Sequence, residues 1–309
     1  MRVLVIDVGG TEIKYAAANT SLDLMGYGKI KTPYETGVEG FLDVLEGIYR
    51  KFEGIVSGVS VSLPGLIDDQ NGCCISGGSL EYNVGKPLGK LLSERLQVPV
   101  YLQNDGRCAV LAEYWKGALK GSSVGVLFAL GTAVAGGIIV NGEVLKGPDF
   151  SAGEFSYICA DYGRWKQADS LAGTACSAVN YVKEVQTALP RLSLRDGKEV
   201  FEQVNKGNPT ALRLFGNYLR NIVIQLYNLQ IILDPDTIAI GGGISRQETL
   251  LEALKKDVDC FYEEGYWTQK NPFLHKPRLT VCRFFNEANL IGALYHYLKR
   301  ENVIEGKLI

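Results

Sequence analysis

The chain begins almost at once with IDVGGTEIKYAAAN, residues 6–19, in which a hydrophobic run ends in an aspartate, paired glycines and a threonine. Residues 2–6 (RVLVI) predict a buried strand, and EIKYAAAN and LMGYGKIKT predict two more, joined by Gly, Asn and Asp turn residues. These three segments indicate an antiparallel meander. Its first turn, at residues 7–11, is the most constrained turn of the chain.

After the meander the hydrophobic period changes from two residues to 3.6 and back. VEGFLDVLEGIYRKF and KPLGKLLSERL (86–96) predict amphipathic helices, whereas IVSGVSVSLPG and VPVYLQND (98–105) predict strands. A second glycine-turned hairpin (SVGVLFALGTA, AGGIIVNGE), a long helix at about 210–233 and the strand TIAIGGG then follow. The second half is therefore predicted to be a variation on the first, within an α/β fold.

No Pro/Ser-rich linker separates the halves, so the expected boundary is the predicted helix CAVLAEYWKGAL near residues 108–119. We expect an N-terminal α/β lobe over residues 1–115, with a last helix at about 288–309 packed on it. Residues 116–287 would form a C-terminal α/β lobe with long helices.

Composition favours small-molecule chemistry. The 32 basic and 34 acidic residues nearly cancel and are scattered, which argues against nucleic acid or an anionic membrane as a partner. Residues 1–9 lack the features of a secretory signal, and no apolar run approaches membrane-spanning length. The seven cysteines show no CxxC spacing, which predicts neither a disulfide framework nor zinc. We therefore expect a cytoplasmic protein with reduced thiols.

Three glycine turns each follow an apolar strand. In the first, the exposed amides and hydroxyl of Gly9, Gly10 and Thr11 suit phosphate oxygens, and the carboxylate of Asp7 suits a hydrated magnesium ion. An ordinary Asp-supported hairpin turn explains this segment equally well. The second and third turns are LGTAVAGG (130–137) and GGGIS (241–245). Together the three turns predict a shared ligand in a cleft.

The pair Asn104-Asp105 closes a predicted strand, and open α/β sheets place ligands at the carboxyl ends of their strands. A carboxylate there can accept the proton of a hydroxyl that attacks phosphorus. Alternatively, the pair is an Asx turn that caps a helix beginning at about Arg107. For an isolated pair the capping role is favoured, so the context has to decide.

That context is a resemblance to the ROK family of sugar kinases and related repressors, and it covers essentially the whole chain, including the closing NLIGAL. The motifs, in order, are DVGGT near residue 7, LPGLID at 63–68, QND at 103–105, LGTAVAGGIIVNGEVLKG at 130–147, AGE at 152–154 and GGGIS at 241–245. The resemblance implies an actin-like ATPase (ribonuclease H-like) fold, with two lobes around a nucleotide and sugar cleft. It also implies a homodimer.

The resemblance further implies an ATP-dependent sugar kinase with Asp105 as general base. Asn104, Gly65 and Glu154 would hold ring hydroxyls of a hexose or hexose derivative. The residues implied to face ATP are Asp7 (also through Mg²⁺), Gly9, Gly10 and Thr11 in the first turn, Gly131 and Thr132 in the second, and Gly241 and Gly242 near the adenosine.

One departure concerns zinc. Family members usually have a histidine where Tyr157 stands, then zinc-binding cysteines and a glutamate near Ala168 or Asp169. We therefore expect no structural zinc. The chain resembles the zinc-less kinases, of which beta-glucoside kinases are one example, with Tyr157 and Trp165 as an apolar platform for a sugar ring. The alternative is that sugar binding has been lost.

A second departure is Ala133 and Ala135, where the family usually has glycine. If either position needs positive φ or a very close approach of ATP, alanine costs about 1 kcal/mol or more and weakens nucleotide binding. Two alternatives to a kinase follow: a degenerate paralogue, or a non-catalytic sugar sensor like the repressor branch. That branch carries an N-terminal helix-turn-helix, for which a first strand beginning at residue 2 is expected to leave no room.

Overall fold

The computed structural model describes residues 1–304, so residues 305–309 of the predicted last helix lie outside the described part. The chain divides into two compact units. The first contains Met1–Gly117, Gly142–Ala152 and residues 286–304, and the second contains Ala118–Asn141 and Gly153–Phe285. The sequence had not distinguished the short segment Gly142–Ala152 from its surroundings.

The strands, in chain order, are β1 (Val3–Val8), β2 (Glu12–Ala18), β3 (Leu24–Lys31), β4 (Val59–Leu63), β5 (Ile67–Asp68), β6 (Cys73–Cys74), β7 (Val100–Asn104), β8 (Val124–Leu130), β9 (Val134–Val140), β10 (Glu143–Val144), β11 (Thr237–Gly241) and β12 (Leu279–Val281). The helices are α1 (Gly37–Arg50), α2 (Leu88–Leu96), α3 (Asp105–Lys116), α4 (Ala172–Ala175), α5 (Ala178–Ala188), α6 (Gly197–Asn205), α7 (Pro209–Leu233), α8 (Glu248–Glu264), α9 (Tyr266–Lys270) and α10 (Ala288–Arg300). Within residues 1–304, none of these helices is long and apolar enough to cross a bilayer.

The first unit is built on a sheet with the strand order β3-β2-β1-β4-β7. The meander β1-β2-β3 is antiparallel, as its alternating pattern predicted, and β4 and β7 then run parallel to β1. Asp7 lies opposite Ser62, and Leu63 lies opposite Asn104. The carboxyl ends of β1, β4 and β7 therefore meet at one edge of this sheet.

Helix α10 belongs to the first unit, where it packs on α3, β1 and β4. The approach of α10 to α3 is close at Gly292, because a β-carbon there would overlap the backbone carbonyl of Cys108. The two ends of the first unit's sequence thus form one packed body, and the start of α10 lies near the functional edge of the sheet.

The second unit repeats the same plan. Its strands lie side by side in the order β9-β8-β11-β12, with β8 and β9 antiparallel and β11 and β12 parallel to β8. Helix α7 begins with Asn208 as its N-cap and Pro209 at its first position, which explains its sharp start. The apolar side of α7, including Leu214, Tyr218 and Leu226, is buried in this unit's core.

Candidate active site

The two acidic residues singled out in the first half of the sequence both lie at the carboxyl edge of the first sheet. Asp7 is near the end of β1, and Asp105 follows β7 directly as the first residue of α3. One strand, β4, separates β1 from β7, which corresponds to about 10 Å across the sheet. The fold therefore brings together two carboxylates that are almost a hundred residues apart in the chain.

The Asp105 carboxylate is held in a defined orientation. Its Oδ1 accepts hydrogen bonds from the backbone N–H of Gly106 at 2.7 Å and from Asn104 Nδ2 at 3.0 Å. The helix cap is Asn104, whose Oδ1 accepts from Arg107 N at 3.0 Å. The helix thus begins two residues before the expected start at Arg107. Because Asn104 does the capping, Asp105 remains half-exposed at the helix start.

Asn104 also joins Asp105 to the loop that follows β4. Besides its bond to Asp105, Nδ2 donates to the carbonyl of Gly65 at 2.9 Å. Gly65 has φ +92°, and a β-carbon there would overlap the carbonyl of Ser76, so only glycine fits. Asn104 therefore has a structural role that the sequence did not reveal, in addition to its predicted contact with a sugar.

The first glycine turn is held by the segment that directly follows β3. Thr32 donates from Oγ1 to the carbonyl of Gly9 at 2.7 Å and from its N–H to the carbonyl of Thr11 at 3.1 Å, and the hydroxyl of Tyr34 donates to the carbonyl of Gly10. Gly10 and Thr11 are themselves exposed. The turn is thus braced through its carbonyls, with its outer surface open to a ligand.

The second glycine turn, between β8 and β9, contains the two alanines that depart from the family pattern. Gly131 N donates to the carbonyl of Ala133 at 3.0 Å, and Ser177 at the start of α5 donates to the carbonyl of Thr132 at 2.7 Å. Neither Ala133 nor Ala135 has positive φ. Neither position therefore carries the backbone strain that alanine would have at positive φ.

A cavity of about 650 Å³ opens beside this turn, within the range of small-molecule sites. It is lined by Leu130, Gly131, Thr132, Ala178, Val179, Val182, Lys183, Gln186, Arg195, Asp196, Gly197, Lys198, Gly243, Ile244, Arg246 and Gln247. Apolar side chains (Val179, Val182, Ile244) can hold a flat ring, and the cations among these residues suit phosphates.

The glycines of the third cluster have different roles. Gly241 and Gly242 do not line the cavity, whereas Gly243 does, and a β-carbon at Gly243 would meet nothing within 4 Å. Gly242 has φ +88°, and a β-carbon there would overlap the carbonyl of Leu130. Gly242 therefore allows β11 to end against β8, and the next residue, Gly243, borders the open space.

The predicted sugar residues of the second unit lie around a short 3₁₀ turn, Phe155–Tyr157, which follows Glu154. Ser156 fixes this turn to β9, since its Oγ donates to the carbonyl of Val134 at 2.8 Å and accepts from the N–H of Val134 at 3.0 Å. The side chain of Tyr157 is 73% exposed. This exposure leaves the ring accessible to a ligand, and no sequence pattern indicated that Ser156 fixes this turn.

A duplicated sheet of this topology, with a glycine turn at the first hairpin of each unit, defines the class of actin-like ATPase folds, as the family resemblance implied. The chain belongs to the ROK family, whose family model matches residues 3–300.

Among curated relatives, the chain is 27% identical over 308 residues to a beta-glucoside kinase of Listeria monocytogenes, covering 98% of this chain and 99% of the relative. It is 30% identical over 330 residues to a glucokinase of Halalkalibacterium halodurans, covering 97% and 96%. A solved structure of a putative N-acetylmannosamine kinase from Listeria monocytogenes is similar with a TM-score of 0.87 and 26% identity, covering 98% of this chain and 100% of that one.

Proposed function

We propose that this carbohydrate kinase transfers the γ-phosphoryl group of ATP to a hydroxyl of a hexose or hexose derivative, with Asp105 as the general base. The observation that carries the proposal is the oriented carboxylate of Asp105 at the same sheet edge as Asp7. The kinase class itself agrees with the names of the relatives.

In the proposed reaction Asp105 accepts the proton of the sugar hydroxyl as its oxygen attacks the γ-phosphorus. The new O–P bond forms while the bond between the γ-phosphorus and the bridging oxygen breaks, and ADP leaves. Positioning and neutralisation of charge supply most of the acceleration in such transfers, and a general base adds about 10²- to 10⁴-fold. The hydrogen bonds of Gly106 and Asn104 to Oδ1 hold the base in position for this step.

For the nucleotide, the cavity of the second unit fits a purine ring against its apolar residues, with Gly243 leaving room and Gly131 and Thr132 at its border. The turn at Gly9, Gly10 and Thr11 offers an open surface to phosphate oxygens. These placements are the reason to assign ATP binding to the glycine turns.

For magnesium, the candidate is Asp7. Residues 1–304 contain no group of three His, Cys, Asp or Glu side chains arranged to hold a metal. Mg²⁺ that arrives with a nucleotide keeps several waters and needs only one or two protein carboxylates, so Asp7 alone fits this requirement. When bound, the ion would neutralise charge on the phosphates.

For the sugar, Gly65, Asn104, Glu154 and Tyr157 are the proposed contacts. The relatives' names direct the first test to glucose and to beta-glucosides. The exposed ring of Tyr157 suits an acceptor with an apolar face or a second group beyond the reacting ring. A homodimer, expected from the family resemblance, belongs to the same proposal, and light scattering on the purified protein tests it.

The test is ADP release with ATP and Mg²⁺ over a panel of glucose, mannose, N-acetylmannosamine, N-acetylglucosamine, and free and phosphorylated beta-glucosides. We expect sugar-dependent release that falls by about 10²- to 10⁴-fold in Asp105→Asn. The matched control is Asp23→Asn, an exposed aspartate that accepts a hydrogen bond from Asn19 in the turn between β2 and β3. An unchanged rate in Asp105→Asn would exclude this residue as the base. If the wild type releases no ADP with any sugar of the panel but still binds ATP, the result would favour a sugar sensor.

A further inference from the structure

The two oxygens of the Asp7 carboxylate have different surroundings. Oδ1 accepts hydrogen bonds from Asn289 Nδ2 at 2.9 Å and from Ser62 Oγ at 3.2 Å. Oδ2 lies 3.6 Å from Nζ of Lys14, the residue directly opposite Asp7 on β2. Asp7 is only 5% exposed, so contacts within the protein, rather than solvent, determine its orientation.

The positions of the two neutral donors follow from the fold. Ser62 lies opposite Asp7 in the parallel register of β1 and β4. Asn289 is the second residue of α10, which packs on β1 and β4 and is locked against α3 at Gly292. Both donors are therefore on rigid elements, independently of each other.

Neutral donors suit a carboxylate that has to receive a cation. They fix the side chain without cancelling its charge, whereas a second buried cation on Oδ1 would weaken its attraction for a metal ion. The cation that pairs with Asp7, Lys14, approaches the other oxygen, and its side chain is 25% exposed. Lys14 is thus free to move to an incoming anion, while the Oδ1 contacts remain in place.

We infer that Asn289 and Ser62 are positioning residues for magnesium–nucleotide binding: they hold Oδ1 of Asp7 so that Oδ2 is directed to the hydrated cation. This inference rests on the proposed function, since it assigns Asp7 to the metal. It places a functional residue in the closing NLIGAL motif, 282 positions away from the aspartate that it orients.

The decisive experiment measures metal binding directly. Mn²⁺ is titrated, with detection by electron paramagnetic resonance, into the full-length protein saturated with a non-hydrolysable ATP analogue. In Asn289→Ala and in Ser62→Ala we expect the Kd for Mn²⁺ to rise on the order of 10-fold, the lower end of the effect of residues that orient metal ligands. The Mg²⁺ concentration for half-maximal kinase rate should rise in parallel, with the KM for sugar unchanged. Asn286→Ala, an exposed neighbour just before α10, is the matched control and should leave both values unchanged.

The two variants separate positioning from folding. Ser62→Ala leaves α10 intact, so a common shift in Mn²⁺ affinity cannot come from loosening of that helix. A loss of thermal stability with wild-type Mn²⁺ affinity in both variants would overturn the inference and leave only a structural role.

Asp7→Asn serves as the reference for the proposed function. If it weakens Mn²⁺ binding but Asn289→Ala and Ser62→Ala do not, the inference fails and the proposed function stands. If the wild type itself shows neither Mn²⁺–nucleotide binding nor kinase activity, both fail.

Discussion

Gly292 on α10 and Cys108 on α3 meet so closely that a β-carbon on the glycine would overlap the cysteine carbonyl. Cys108 lies one turn into the helix that begins with Asp105, and Gly292 lies one turn after Asn289. The contact therefore joins the helix that carries the proposed base to the helix that orients Asp7.

Gly292→Ala is expected to destabilise the protein, because a rigid backbone carbonyl has to move to admit the methyl group. Overpacking of this kind costs about 1–3 kcal/mol in the free energy of unfolding, measured by urea denaturation. Gly47→Ala on α1 is the control, since its β-carbon would meet nothing within 4 Å. It should stabilise the protein by about 0.5–1 kcal/mol. Equal effects of the two substitutions would contradict the close helix contact.

Gly242 and Gly243 should respond differently to alanine. Gly242→Ala forces a residue with φ +88° against the carbonyl of Leu130, so we expect a lower free energy of unfolding. Gly243→Ala adds a methyl group where the cavity is open, so we expect unchanged stability and a higher KM for ATP. Thermal melts and ATP kinetics on both variants test this prediction. A normal KM for ATP in Gly243→Ala would show that the nucleotide does not occupy this part of the cavity.

Stability should fall as the pH is lowered towards 5, because of His296. Burial lowers the pKa of this histidine to about 4; Asp69 opposes the shift, whereas Arg300, Lys146 and Lys299 add to it. Below its usual pKa of 6.5 the unfolded chain therefore binds a proton that the folded chain excludes, and the unfolding free energy falls between about pH 6.5 and pH 4. By pH 5 this contribution amounts to about 2 kcal/mol.

Denaturant unfolding at pH 7 and pH 5 measures this effect. His296→Gln should lose less stability between the two pH values than the wild type, while the exposed His275→Gln should behave like the wild type. An identical loss in the wild type and in both variants would show that other groups cause the acid sensitivity.

Tyr157 should affect substrate choice without affecting stability. Its ring is 73% exposed, so Tyr157→Ala should leave the melting temperature unchanged. If the ring covers about 50 Å² of an acceptor, its loss costs about 1.3 kcal/mol, or about a 10-fold increase in KM. Tyr162→Ala, with a side chain 74% exposed, is the control. A similar KM increase in both variants, or in neither, would contradict a specific contact of Tyr157 with the acceptor.

Local sequence patterns predicted the main strands and helices of the fold. The long helix expected at about 210–233 is α7, Pro209–Leu233, because its apolar stripe, cap and proline all lie within one stretch of chain. The meander β1-β2-β3 followed in the same way from alternation and turn residues. The positions of Asp7 and Asp105 near the ends of β1 and β7 followed from the strand pattern, whereas their proposed roles were implied by the family resemblance.

The residues that orient the site could not be predicted in this way. Asn289, Ser62 and Ser156 act through side-chain hydrogen bonds to residues that are remote in sequence, and no periodicity marks them. The backbone angle of Ala133, which is not a positive φ, likewise depends on how the β8–β9 hairpin closes. Tertiary geometry, rather than residue type, carries this information.

The discontinuous first unit has a consequence for biosynthesis. All residues of its five-stranded sheet and of α3 have been translated once synthesis reaches Gly117. Helix α10, which packs on α3, β1 and β4, is translated only when synthesis reaches Arg300. At cellular rates of translation, the nascent N-terminal unit waits about 10–40 s for this helix. During that time the apolar surfaces that α10 covers are exposed on the ribosome-bound chain. A chaperone that binds such surfaces would thus act on this protein before its last helix emerges, and C-terminal truncation would harm the folding of its N-terminal half.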